Sequence, residues 1–135
     1  MHILVIEDSA EDAFLILQAI TTASCPAFVC RNITEARAYL GGTGLFFDRR
    51  KYPLPEAIIC DLKIGGDSGI DFIRWLRTQP PFEQLPAFVL SGSLSKEDVL
   101  QAQNLGVLRV MQKPQEFRTL ERTLAQLTME LMSLT

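Results

Sequence analysis

The chain is short of the residues that would tie it to a membrane, a nucleic acid or an oxidising compartment. It has three cysteines, Cys25, Cys30 and Cys60, an odd number without the spacing of a zinc site or a CxxC motif. A disulfide framework is therefore excluded, and the expected state is reduced, mostly buried thiols in a cytoplasmic protein. The formal net charge is only −3, so no basic footprint points to nucleic acid. No apolar run approaches the length of a membrane span. The chain opens directly on the strand-like Ile3-Leu4-Val5-Ile6, which leaves no room for a signal peptide. There is no internal repeat, low-complexity segment or linker. With 47% apolar and 21% charged residues, one domain over residues 1–135 with a proper core is expected.

What is present is an alternation of short apolar runs and helical stretches. Residues 2–6, 27–31, 57–61, 87–91 and 108–112 read as strands, and none is longer than five residues. Between them, helices are expected over about 10–22, from Asn32 to Leu40, from Ser68 to Thr78, over 96–105 and over 115–133. Ser9 or Asp8 caps the first, with Phe14, Leu17 and Leu15 facing the sheet. Asn32 followed by Glu35 starts the second as a capping box does, and Ser95 caps the fourth. Gly41-Gly42-Thr43-Gly44 and Gly106 act as stops. The pattern predicts an α/β fold: a doubly wound, five-stranded parallel sheet with helices on both faces. In such a sheet ligands bind outside the carboxyl ends of the strands, at the point where strand order reverses.

Polar residues stand at those ends. Glu7-Asp8 closes the first run, Asp61 the third, Ser91 the fourth and Lys113 the fifth. Three packed carboxylates repel one another and raise each other's pKa unless a cation intervenes. A hard divalent ion bound through carboxylates, waters and phosphate oxygens resolves the conflict, and magnesium is the expected one. Lys113 and Ser91 add a positive charge and a hydroxyl that stabilise a transferring phosphoryl group, and a carboxylate can itself act as nucleophile.

Glu7-Asp8, Asp61 within Asp61-Leu62-Lys63-Ile64-Gly65-Gly66-Asp67-Ser68-Gly69, Ser91-Gly92 and Lys113-Pro114 resemble, in that order, the motifs of two-component response regulator receiver domains. The resemblance spans essentially the whole chain and is nearest to small stand-alone receivers. It implies a flavodoxin-like strand order, 2-1-3-4-5. It implies Asp61 as phosphoacceptor, taking the phosphoryl group from a sensor histidine kinase or a histidine phosphotransfer protein. Asp8 would ligate magnesium directly and Glu7 through water, with Asp61 and the Lys63 backbone carbonyl completing the protein ligands. Ser91 and Lys113 would contact phosphoryl oxygens, and Lys113-Pro114 would be a cis peptide. On this reading the chain catalyses only its own phosphorylation and dephosphorylation, and acts by switching partner binding or relaying the signal.

Two positions depart from the family pattern. Gly65 stands where proline is frequent, which predicts a looser loop. Val110 replaces an aromatic residue whose ring turns inward on phosphorylation. Both keep open the alternative of a docking module that is not phosphorylated. A cofactor-binding flavodoxin-like protein is disfavoured, because Glu7-Asp8-Ser9-Ala10-Glu11-Asp12 would repel a bare phosphate. A phosphatase with an Asp nucleophile would want a second acid where Lys63 stands. His2 is expected to be structural or exposed, Trp75 partly buried, and the basic turn Asp48-Arg49-Arg50-Lys51 solvated or a docking surface. In the last helix Phe117, Leu120, Leu124, Leu127, Leu131 and Leu134 follow 3–4 spacing. That stripe is core, or the seam of a homodimer if Leu131, Met132 and Leu134 run past the sheet. No output domain is expected after residue 135.

Overall fold

Five parallel strands form the centre of the molecule. In the computed structural model, which describes residues 2–22 and 25–134, they are β1 (Ile3–Ile6), β2 (Ala27–Cys30), β3 (Ala57–Cys60), β4 (Ala87–Ser91) and β5 (Arg109–Gln112). They lie in the order β2-β1-β3-β4-β5, the expected topology, so order reverses between β1 and β3. Five helices connect and flank them: α1 (Ala10–Thr22), α2 (Ile33–Gly41), α3 (Gly69–Arg77), α4 (Lys96–Asn104) and α5 (Phe117–Ser133). A two-residue hairpin, Lys63–Ile64 against Asp67–Ser68, follows β3.

Successive strand residues point to opposite faces, and this divides the core in two. Leu4, Ile6, Ile58, Cys60 and Val89 pack with Tyr39, Leu40, Phe72, Ile73 and Leu76 of α2 and α3. Ile3, Val5, Ile59, Phe88 and Leu90 pack on the other face with Ile16, Ile20, Leu120, Leu124, Leu127 and Leu131 of α1 and α5. All three cysteines are buried and none forms a disulfide. Side-chain caps start the helices as the sequence suggests. Asn32 accepts from the Glu35 N–H, Ser68 from Asp71, and Ser95 shares a capping box with Asp98.

Three expectations need correction, and one open between two readings is decided. On α1 the buried residues are Ala13, Ile16, Ala19 and Ile20, with Leu15 half-buried against the core as expected, while Phe14 is exposed and Leu17 is half-buried without joining it. Residues 13–17 are apolar all round, so the run alone does not select a face. The small Ala13 and Ala19 let the helix approach the sheet on the other side. On α5, Leu131 is buried with Leu120, Leu124 and Leu127; the exposed apolar residues near that end are Met129, Met132 and Leu134. The stripe up to Leu131 is core, because the helix packs along α1 as well as the sheet. The Lys113–Pro114 bond is trans, since no described peptide is cis; trans is the ordinary form, favoured by about 0.5–1 kcal/mol even before proline.

The fourth concerns the turn at 48–51. Arg50 and Lys51 are exposed, but the Arg49 guanidinium turns inward and donates to the carbonyls of Tyr39 and Leu40 at 2.8 Å each and of Tyr52 at 3.1 Å. Beside it Phe28, Tyr39, Phe46 and Tyr52 pack ring on ring with centroids 5.1–6.0 Å apart. Tyr39 donates to Pro53 O at 2.9 Å and meets His2 Nε2 at 2.7 Å. Trp75 is half-buried under the Arg37 guanidinium, 4.6 Å from its ring centroid.

Candidate functional site

Strand pairing continues past the strand ends and sets the height of each polar residue. Glu7 N–H bonds to Cys30 O, Asp61 N–H to Ile6 O and Lys113 N–H to Ser91 O, at 2.9, 3.2 and 2.7 Å. Glu7, Asp8, Asp61, Ser91 and Lys113 therefore meet at one edge of the sheet. Oxygen atoms of Glu7, Asp8 and Asp61 lie within 4.8 Å of one another. Lys63 is the first residue of the hairpin, and its side chain is exposed. It adds no side-chain group to the cluster.

Lys113 is the hub. Its Nζ lies 2.5 Å from Glu7 Oε1, 2.7 Å from Asp61 Oδ2 and 2.8 Å from Asp12 Oδ2. Burial alone would lower the lysine pKa, but the three carboxylates overturn that and raise it. Asp61 is buried too, which by itself would raise its pKa. The Lys113 ammonium, helped by the Ser91 hydroxyl and by the Leu62 N–H at 2.6 Å, holds it instead below the ordinary value. Asp61 is thus kept as a carboxylate. Glu7 goes the other way: burial pushes it up to about 7 against the opposing pull of Lys113 and the Ser9 N–H. Its Oε1 is fully buried and makes no hydrogen bond. The lysine neutralises its charge at 2.5 Å without hydrogen-bond geometry. Three carboxylates with oxygens within 4.8 Å of one another, two of them sharing a single ammonium, form the donor set of a hard cation, so the residues present fit a divalent metal.

Several positioning contacts were not evident in the sequence. Arg31, just after β2, donates to the backbone carbonyls of Glu7 and Asp8 and ties their loop down. Gly69 packs so closely on the segment after β3 that a Cβ there would run into the Asp61 carbonyl oxygen. Gly65 has φ of 63° and closes the hairpin, and its N–H donates to Asp8 Oδ2 at 2.8 Å. A proline could supply neither that φ nor that N–H. The departure from the family pattern therefore shapes a turn and holds an acid. In the sequence Asp12 is one of a run of acids, and nothing local pairs it with Lys113, 101 residues away. Ser91 donates to Ser93 O at 3.2 Å. Val110 is half-buried against the α2/α3 core.

A flavodoxin-like sheet carrying three acids, a hydroxyl and an ammonium at its carboxyl edge defines the receiver class of signalling module. The chain belongs to the response regulator receiver domain family, whose model matches residues 3–125. It is similar to response regulator Rcp1 of Synechocystis sp., at 25% identity over 120 residues, 87% of this chain and 80% of that protein. The Mn(2+)-bound structure of Rcp1 superposes with a TM-score of 0.80 at 23% identity, over 93% of this chain and 90% of that one. The phosphorylated cyanobacterial phytochrome response regulator RcpA superposes at 0.87 with 24% identity, over 99% and 95%. The bacteriophytochrome response regulator RtBRR does so at 0.75 with 28% identity, over 93% and 75%. Receiver domains are signalling proteins of two-component systems, phosphorylated by histidine kinases or phosphotransfer proteins, and they bind divalent metal.

Proposed function

We propose that this protein is a cytoplasmic response regulator that accepts a phosphoryl group on Asp61 from a sensor histidine kinase or histidine phosphotransfer protein. The observation that carries the reading is Asp61 Oδ2, held anionic 2.7 Å from Lys113 inside a cluster of two further carboxylates. An Asp61 oxygen attacks phosphorus and the N–P bond of the donor phosphohistidine breaks. Its electron pair stays on the donor imidazole. Glu7, Asp8, Asp61 and the Lys63 backbone carbonyl would hold magnesium, which supplies positive charge against the phosphoryl oxygens when bound. Lys113 turns to one phosphoryl oxygen, and the Ser91 hydroxyl leaves Ser93 O to donate to another. Water later hydrolyses the acyl phosphate, releasing orthophosphate and restoring Asp61. No other substrate is turned over.

Acetyl phosphate or beryllofluoride with magnesium is expected to modify or occupy Asp61, and Asp61→Asn to abolish this. Mass spectrometry that placed the label elsewhere, or found none with a competent kinase, would favour the unphosphorylated docking module. The donor to try first is a phytochrome-class sensor kinase, because RcpA and RtBRR are named for that signalling. The output proposed is a change in self-association through the outer face of α5, where Met129, Met132 and Leu134 are exposed. Sedimentation with and without beryllofluoride reads it. A monomer in both conditions, unaffected by Met132→Lys, leaves binding of another protein as the output.

A further inference from the structure

One ammonium serves three carboxylates here, and only two of them belong to the metal cluster. Glu7 and Asp61 are members; Asp12 is not. Asp12 stands in the first turn of α1, its N–H bonded to the capping Ser9 Oγ at 3.2 Å. Its side chain is 39% exposed, against 2% for Glu7 and 10% for Asp61. It reaches Lys113 across 101 residues of sequence, at 2.8 Å.

We propose that Asp12 is a positioning residue that holds Lys113 clear of the metal-binding oxygens and from which Lys113 is released to grip a phosphoryl oxygen. The inference rests on the phosphoryl-transfer reading above. Lys113 Nζ lies at 2.5 and 2.7 Å from the Glu7 and Asp61 oxygens that a divalent cation needs. Two cations on the same oxygens repel, and in a partly desolvated cleft the repulsion is poorly screened. Lys113 must give up those contacts as the metal binds, and a half-buried ammonium needs a replacement counter-charge. Asp12 supplies one already within hydrogen-bond distance. The same contact competes with a phosphoryl oxygen for the lysine. Asp12 therefore favours metal binding and opposes anion binding. These two effects have opposite signs, and a role in folding alone would not produce them.

The test is a double-mutant cycle on the full chain. Magnesium affinity, and beryllofluoride affinity at saturating magnesium, are measured by calorimetry for wild type, Asp12→Asn, Asp12→Glu, Lys113→Met and Asp12→Asn/Lys113→Met. Asp12→Asn is expected to weaken magnesium about fivefold and tighten beryllofluoride about threefold, with the magnesium effect falling below about twofold in the Lys113→Met background. Asp12→Glu, which keeps the charge, restores part of both. The inference is overturned if Asp12→Asn changes neither affinity, moves both in the same direction, or weakens magnesium equally in the two backgrounds, since Asp12 would then act by its charge alone. A wild type that binds both ions with Asp12→Asn unchanged sinks this inference only. A wild type that binds neither sinks the receiver reading together with it.

Discussion

The two edges of the sheet are built differently. At the β2 edge, Arg49 holds three carbonyls, four aromatic rings interlock and Tyr39 is fully buried, its phenol lifted to about 12 by burial and so neutral. At the β5 edge, Arg109 and Gln112 are exposed, Val110 and Met111 are half-buried, and α4 contributes only Ala102 to the fully buried core. Leu100 and Leu108 remain exposed nearby. The cleft straddles the two. Arg31 secures the Glu7–Asp8 loop from the β2 side, whereas Ser91 and Lys113 end the strands of the thinly covered side. Groups proposed to ligate the metal are thus anchored, and groups proposed to follow the phosphoryl are left room to shift.

The largest effect should come from disturbing what both edges share, the seat of Asp61. Gly69→Ala would push a methyl group into the Asp61 carbonyl oxygen. Phosphorylation by acetyl phosphate should slow about a hundredfold, the scale of an ångström-sized misplacement. Wild-type kinetics in this variant would mean that Asp61 is less rigidly seated than the packing indicates.

A matched pair of arginines tests the edges directly. Arg49→Met leaves three inward carbonyls without their donor and should cost about 3 kcal/mol in urea unfolding. Arg109→Met removes an exposed ion pair with Glu130, 2.6 Å apart, and should cost less than about 1 kcal/mol. Equal losses would erase the contrast.

The smallest effect concerns proton competition in the cleft. Because burial raises the Glu7 pKa to about 7, Glu7 is protonated below that pH and must lose its proton to meet a cation. Magnesium affinity should fall about tenfold from pH 8 to pH 6, as competition by one proton requires. Without metal the sign reverses. The stability linked to Glu7 is full below its unfolded pKa near 4.5 and is lost as pH rises through 7. Asp61, with a lowered pKa, contributes stability above its ordinary value that is lost as pH falls. A magnesium affinity that stays flat from pH 6 to 8 would remove Glu7 from the competition.

Much of this was legible because strand ends are local. Each apolar run ends in a polar residue, and parallel topology does the rest, so Glu7, Asp8, Asp61, Ser91 and Lys113 were found together. The facing of α1 is not legible, because Ala13 to Leu17 carries no periodicity. Arg49 looked like surface charge because its partners are carbonyls, which have no signature in sequence. Asp12 was hidden among Glu7, Asp8 and Glu11, since only the fold brings Lys113 to it. Leu131 stays open between core and seam in the sequence, because the length of β5 does not reveal that α5 leans on α1.

The hairpin after β3 also limits which residues position 65 can take. A proline at position 65 is excluded by a φ of 63° and by the loss of the N–H that Asp8 accepts. Gly65→Pro alone therefore cannot keep this turn. The pairs Lys63–Ser68 and Ile64–Asp67 would have to be rebuilt at the same time. The turn and the acid it holds are one mechanical unit, so a change at position 65 is transmitted to Asp8.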